Sequence, residues 1–124
     1  IGHGTRASED LDLVRLLAER RIPLEMCPVS NVRTGVVPSL AAHPIRRFFN
    51  EGVVVTVSTD DPKMFGNSLA EEYLLLETTL GFVSDEIQTI MLNGARASWL
   101  PDVRKHELVR TIRDDPAWED LAEA

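Results

Sequence analysis

The sequence has little of three features that would each point to a class of protein: cysteine, basic charge and long apolar runs. Its single cysteine, Cys27, cannot form a disulfide within the chain, which fits a reducing compartment such as the cytoplasm. Lys and Arg number 13 against 20 Asp and Glu, and a net charge of -7 argues against a nucleic-acid partner. No stretch approaches the roughly 18 apolar residues of a membrane span. The sequence therefore predicts neither a nucleic-acid-binding protein nor a membrane protein.

The chain also begins without a methionine and without the charged region of a signal peptide. An opening such as IGHG predicts a sequence cut from the middle of a longer polypeptide, although a processed chain would look the same. What is present suits a globular protein, because 124 residues with a hydrophobic fraction of 44% are enough for one domain with a core.

Helical and extended patterns alternate along the chain, which predicts an α/β fold with short connections. Strands are expected at residues 1–4, 24–27 and 53–58, and a loop with Ser30, Asn31 and Gly35 is expected after the second strand. Helices are expected at residues 8–21 with Ser8 as N-cap, from Pro44 to before Gly52, at 69–80 with Ser68 and Glu71 as a capping box, from Ser84 with an interruption at Asn93 and Gly94, and at the surface near residues 105–112, before a polar, acidic terminus.

The six residues at 53–58, VVVTVS, form a nearly continuous β-branched run. Such a strand is typical of a parallel sheet with both faces buried. Three βα units do not close a barrel, which needs eight strands. The units therefore form either an unusual small sheet or the closing part of a (β/α)8 barrel whose earlier strands lie outside this sequence.

Polar residues follow each predicted strand, at the edge where parallel α/β proteins place their active sites. His3 follows the first strand, Ser30 and Asn31 the second, and Asp60 and Asp61 the third. A histidine and two carboxylates at one edge suit a metal site or an acid–base site. Plainer interpretations also exist: His3 as a loop histidine between two glycines, and the aspartates as a turn in which Asp60 caps backbone amides.

Three other reactive side chains are expected to have structural roles. His43 precedes a proline in a loop, and His106 lies in a charged helix. Cys27 lies in an apolar strand without a basic neighbour in sequence, so we expect an inert, packed thiol.

The segments GHGT, CPVSN and STDDPKMF, followed by NGARASWLP, resemble in order and spacing the C-terminal part of the adenosine deaminase family of metal-dependent amidohydrolases. The resemblance covers nearly the whole chain. It implies a (β/α)8 barrel and the zinc-dependent hydrolysis of adenosine, or a related purine nucleoside, to inosine and ammonia. It also implies three site residues. Asp60 would be a ligand of the single zinc ion, His3 would accept a proton from the attacking water or stabilise it, and Asp61 would bind substrate at N7 of the purine.

The family's other metal ligands and its proton-donating glutamate have no counterpart here, because the sequence has no H-x-H pair and no H-A-G-E motif. The resemblance therefore implies that residues 1–124 are the C-terminal part of a single barrel domain. Its partner would be the N-terminal portion of the same barrel. The isolated chain is expected to be inactive, since one carboxylate cannot define a tetrahedral zinc site.

Three alternatives stay open at this stage. The substrate could be adenine, N6-methyl-AMP or aminodeoxyfutalosine, because those deaminases have loops related to SNVRTG. The chain could instead be a non-catalytic interaction module derived from the barrel. It could also belong to another hydrolase of the superfamily, such as a phosphotriesterase-like enzyme, although the DDP and CPVSN segments argue against it.

Overall fold

A computed structural model describes residues 1–118 as a small parallel sheet with helices packed on it. The predicted acidic terminus lies largely outside these residues. The elements are α1 (Leu11–Glu19), β1 (Leu24–Met26), α2 (Pro28–Arg33), α3 (Ile45–Asn50), β2 (Val55–Val57), α4 (Pro62–Phe65), α5 (Leu69–Leu80), α6 (Ser84–Ala97) and α7 (Asp102–Arg113), with short 3-10 helices at Thr5–Glu9 and Leu40–Ala42. Within the described part of the chain, no helix is both long and apolar enough to cross a membrane.

The sheet places the three predicted strands side by side in parallel. Strand β1 lies in the middle, with Leu24 paired to Val55 of β2. On its other side Gly2 forms a parallel bridge to Glu25, and His3 N donates to the Glu25 carbonyl at 2.8 Å. Because all three segments run in one direction, their carboxyl ends meet at one edge. The predicted order of βα units is thus confirmed.

One face of the sheet packs against the helices, and the other faces an open cavity. The helix-side core is a cluster of buried apolar side chains that includes Val14, Leu17, Leu24, Met26, Ile45, Phe48, Val55, Val57, Leu76, Phe82 and Ile90. Alternate residues point to the opposite face, where Glu25 and Thr56 line a cavity of about 680 Å³ together with Gly2 and the fully exposed Trp99. This second face is the one that a complete barrel would enclose.

The first helix begins later than predicted, and its N-cap is Asp10 instead of Ser8. The Asp10 carboxylate accepts hydrogen bonds from the backbone N–H groups of Asp12 and Leu13. Ser8 lies in the 3-10 helix, where its hydroxyl donates to the Thr5 carbonyl. Asp10 is the better cap because its carboxylate reaches two free amides, and it therefore determines where the α-helix starts.

The predicted interruption at Asn93 and Gly94 is wrong, because α6 runs unbroken through both residues. A glycine inside a helix costs roughly 1 kcal/mol relative to alanine. Burial of Ile90 and Leu92 on the same helix offsets that cost, and Asn93 Nδ2 donates to the Val55 carbonyl of β2 at 3.2 Å. The expected cap Ser84 is likewise inside the helix, which begins after Val83.

The predicted loop after β1 is in fact the short helix α2, with Pro28 at its first position. Proline suits that position because its fixed φ angle is helical and its missing N–H would have no partner there. Ser30 and Asn31 therefore lie on a helix, and both are buried. The remaining predicted helices, α3, α5 with its Ser68–Glu71 capping box, and the surface helix α7, are confirmed.

Candidate active site

Side chains from three successive chain segments meet where the parallel strands end. Ser30 Oγ donates to Asp60 Oδ2 at 2.6 Å, and His3 Nε2 lies 3.9 Å from the same oxygen. The His3 and Asp60 side chains are 47% and 37% exposed, so both are accessible from the rim of the sheet. The structure thus brings together His3, Ser30 and Asp60, three of the residues that the sequence placed at this edge.

Both His3 and Asp60 adopt a left-handed backbone conformation, with φ angles of 58° and 61°. Such a conformation costs a non-glycine residue on the order of 1–3 kcal/mol and is concentrated at functional sites. Gly4 follows His3 with a φ of 68°, and a Cβ there would lie 2.9 Å from Leu24 Cδ2. The backbone is therefore strained at the two positions from which these side chains approach each other.

The Ser30 hydroxyl fixes the orientation of the Asp60 carboxylate. Ser30 is 1% exposed and occupies Oδ2 of Asp60, whereas Oδ1 has no hydrogen-bond partner within residues 1–118. The Asp60 carboxylate thus has one oxygen oriented by a hydrogen bond and one free oxygen. This arrangement is expected of a metal-binding carboxylate that is oriented by a residue not itself bound to the metal.

Cys27 is the third potential metal ligand at this position. Its Sγ, the His3 ring and the Asp60 carboxylate lie within 4.8 Å of one another. Burial, followed by the nearby charge of Asp60, raises the pKa of the Cys27 thiol to about 12. With a pKa this high the thiol is protonated at neutral pH, which agrees with the packed thiol predicted from sequence. The donor set suits zinc through Asp60, but these residues supply too few ligands for a complete tetrahedral site.

Asp61 points away from Asp60 and caps α4. Its Oδ1 accepts a hydrogen bond from Met64 N at 2.9 Å, and Pro62 is the first helical residue. The interpretation of Asp60 as the turn cap is therefore wrong, because the neighbouring carboxylate fills that position. Within residues 1–118 the other oxygen of Asp61, Oδ2, has no hydrogen-bond partner, so it is available to a ligand.

A chain of polar side chains extends from the site into the core. Asn31 Nδ2 lies 3.2 Å from His3 Nδ1, and Asn31 Oδ1 lies 3.0 Å from His43 Nε2. The backbone N–H of Ile45 donates to His43 Nδ1 at 3.2 Å. His43 is 4% exposed and Asn31 is 2% exposed. The burial of His43 fits the structural role expected of it, but its link to His3 through Asn31 was not expected.

A buried carboxylate supports the site from behind. Glu72 of α5 accepts hydrogen bonds from Asn67 Nδ2 at 2.5 Å and from Val29 N at the start of α2 at 3.3 Å. Asn67 Nδ2 also donates to the carbonyl of Thr59, the residue before Asp60. Burial raises the pKa of Glu72, and the two hydrogen bonds oppose that rise. Glu72 thus ties together the two backbone segments that carry Ser30 and Asp60.

The stability of the chain is expected to fall in mild acid because of His43. Burial lowers the pKa of His43 from 6.5 to about 4. Below pH 6.5 the unfolded chain binds a proton that the folded chain excludes, so the free energy of unfolding decreases as the pH falls and levels off below pH 4. The decrease due to His43 reaches at most about 3 kcal/mol.

Urea unfolding at pH 7, 5.5 and 4 measures this effect. His43→Gln should remove most of the slope between pH 6.5 and 4, whereas His106→Gln, a change at an exposed position on α7, should retain it. An equal slope in wild type and His43→Gln would contradict the assignment.

Sequence reasoning missed three residues of this site: His43, Asn67 and Glu72. His43 and Glu72 lie in segments whose local patterns show only a loop before a proline and an amphipathic helix. The sequence signal for this part of the site was Glu72, an ionisable residue among apolar neighbours in α5.

An oriented carboxylate and a histidine where parallel strands end are typical of the active-site edge of a parallel α/β barrel protein. The family model for adenosine deaminase matches residues 1–115. The chain therefore belongs to the adenosine deaminase family, and it forms the C-terminal part of a (β/α)8 barrel.

Relatives with known names agree with this family. The chain is 46% identical over 112 residues to an adenine deaminase of Rhizobium johnstonii, covering 90% of this chain and 35% of the relative. It is 47% identical over 100 residues to an aminodeoxyfutalosine deaminase of Streptomyces coelicolor, covering 81% of this chain and 26% of the relative. The chain thus spans about a third or less of the length of these relatives.

Solved structures show the same partial coverage. An adenine deaminase from Arthrobacter aurescens superposes with a TM-score of 0.88 at 37% identity, over 92% of this chain and 35% of that protein. An amidohydrolase from Burkholderia ambifaria with bound zinc superposes with a TM-score of 0.83 at 25% identity, over 98% of this chain and 34% of that protein.

Proposed function

We propose that residues 1–124 are the C-terminal part of a single barrel domain that removes the amino group of an aminopurine by zinc-dependent hydrolysis. The observation that carries this proposal is the convergence of His3 and Asp60, with Ser30 donating to the Asp60 carboxylate at 2.6 Å. The zinc-containing relative supports the choice of metal. The remaining zinc ligands would come from the N-terminal portion of the barrel.

Each residue of the site has a distinct role in this proposal. Asp60 would hold the zinc ion through the oxygen that Ser30 leaves free. A zinc ion held there would lower the pKa of a bound water and so would supply the nucleophile near neutral pH. His3 would act on the attacking oxygen. Asp61 Oδ2 would accept a hydrogen bond from a protonated ring nitrogen of the purine, because a carboxylate and an unprotonated ring nitrogen are both acceptors. Since Asp61 Oδ1 is held by Met64 N, the direction of Oδ2 is fixed by α4.

Adenine is the substrate to test first. The sequence resemblance favoured adenosine, but the named relatives include adenine deaminases and an aminodeoxyfutalosine deaminase. The experiment uses a full-length barrel enzyme that carries this segment, called below the full-length barrel. Its kcat/KM on adenine, adenosine, N6-methyl-AMP and aminodeoxyfutalosine ranks the candidates by ammonia release. No release from any of the four would contradict the proposed function.

Asp61→Asn in the full-length barrel is expected to lower kcat/KM about tenfold or more, because the NH2 group that replaces Oδ2 cannot accept the charge-assisted hydrogen bond from the protonated ring nitrogen. Asparagine retains an oxygen that can cap α4, so the helix should stay in place. The matched control is Asp10→Asn, since Asp10 caps α1 in the same way but lies away from the site. Steady-state kinetics with unchanged KM and kcat for Asp61→Asn would exclude the substrate-binding role.

A further inference from the structure

The hydrogen bonds that link His3 to α3 have only one possible direction. The backbone N–H of Ile45 can donate but not accept, so His43 Nδ1 accepts and carries no proton. A neutral His43 then has its proton on Nε2, which donates to Asn31 Oδ1. This contact orients the Asn31 amide with its NH2 group toward His3 Nδ1.

The contact with Asn31 also determines which ring nitrogen of His3 carries the proton. An amide NH2 group is a donor only, so His3 Nδ1 accepts a hydrogen bond and holds a lone pair. In the neutral ring the proton is then on Nε2, because the hydrogen bond at one ring nitrogen decides which nitrogen is protonated. Nε2 is the nitrogen that faces Asp60, at 3.9 Å from Oδ2.

The Nε2–H group of His3 remains available for another partner. A separation of 3.9 Å is too long for a hydrogen bond to Asp60. An oxygen placed between the imidazole and the zinc ligand could therefore accept from Nε2. The burial that keeps His43 neutral at pH 7 also keeps the direction of the whole chain unchanged.

We infer that the Ile45 N–H, His43 and Asn31 hold neutral His3 as the Nε2–H tautomer, so that His3 donates a hydrogen bond to the reacting oxygen and does not remove a proton from it. This inference rests on the proposed function for the role of the oxygen, but the tautomer stands on the hydrogen bonds alone. Asn31 and His43 are accordingly positioning residues, and His3 is the catalytic residue on which they act.

The tautomer can be read directly by 15N NMR of histidine-labelled chain at pH 8. His3 and His43 should each show a protonated Nε2 and an unprotonated Nδ1. His106, which is exposed on α7, serves as the internal reference for a ring that these buried hydrogen bonds do not hold. Asn31→Ala should move the His3 signals toward those of His106. A protonated Nδ1 on His3 in the wild type would overturn the inference.

Kinetics in the full-length barrel test the consequence for turnover. Asn31→Asp places a carboxylate oxygen opposite His3 Nδ1, so it reverses the donor and forces the proton onto Nδ1. We expect kcat to fall about 100-fold with a KM change below about threefold. Asn31→Ala removes the donor without reversing it and should lose less, about tenfold.

The relative kcat values of Asn31→Asp and Asn31→Ala distinguish a positioning role of Asn31 from a packing role. A merely structural Asn31 would make alanine the worse variant, because alanine leaves a hole and loses both hydrogen bonds. His43→Leu should lower kcat, and His43→Gln should recover most of the loss, since glutamine can donate to Asn31 Oδ1. Equal kcat values for Asn31→Asp and Asn31→Ala, at wild-type zinc content, would refute the inference.

The NMR and kinetic experiments together also distinguish a failure of this inference from a failure of the proposed function. If the NMR result holds and the full-length barrel deaminates no aminopurine, the proposed function fails and the tautomer stands. If deamination occurs and His3 has a protonated Nδ1, the positioning role fails and the function stands.

Discussion

Replacing Asp60 with alanine in the full-length barrel is expected to lower kcat/KM at least about a thousandfold and to reduce bound zinc in parallel. A metal ion contributes several kcal/mol of transition-state stabilisation, and each 1.36 kcal/mol corresponds to about a factor of ten in rate. In the proposed function, Asp60 is the zinc ligand that this segment would supply. Ser30 and the left-handed backbone at Asp60 both serve to orient its carboxylate.

The experiment combines zinc analysis with steady-state kinetics. Alanine at a φ of 61° adds backbone strain of its own, so Asp60→Asn is the better-matched variant, because asparagine tolerates this conformation and keeps the shape. Both variants should lose zinc. Asp12→Ala, at an exposed carboxylate that pairs with Arg15, is the control for loss of a charge. Full zinc occupancy and near-wild-type turnover in Asp60→Asn would remove Asp60 from the metal site.

The positions of the strand ends could be predicted from the sequence, and the orientation of the Asp60 carboxylate could not. His3 and Asp60 follow apolar strands, and parallel topology places all such positions at one edge. Pro62 at the first position of α4 locally favours Asp61 as the cap, whereas the orientation of the Asp60 carboxylate depends on Ser30, which lies 30 residues earlier and donates to it. A local pattern contains no information about that contact.

Tertiary contacts between distant residues also explain why the sequence did not predict the contact of His43 with the site or the unbroken course of α6. His43 joins the site because the 3-10 helix Leu40–Ala42, which ends at His43, packs against α2, so that the His43 ring meets Asn31, 12 residues away. Helix α6 continues through Gly94 because Asn93 reaches the carbonyl of Val55, 38 residues away. In both cases a tertiary contact decides between local alternatives that propensity leaves nearly equal.

The isolated 124-residue chain is expected to release no ammonia from adenine or adenosine above the rate in buffer. It supplies Asp60 and His3 but too few donors to fix zinc in tetrahedral geometry. Within residues 1–118, its second sheet face, with Glu25, Thr56 and the fully exposed Trp99, is also open, whereas a complete barrel would enclose it.

Complementation tests this expectation most sharply. Adding the remaining N-terminal part of a barrel should restore deamination in proportion to the concentration of both pieces, because the site forms only when the sheet closes. The matched control adds the Asp60→Asn chain to the same N-terminal part, which should stay inactive if the zinc ligand must come from this segment. Turnover by the purified chain alone would show that its own residues complete a catalytic site. Recovery of activity with the Asp60→Asn chain would instead place the fourth zinc ligand elsewhere in the barrel.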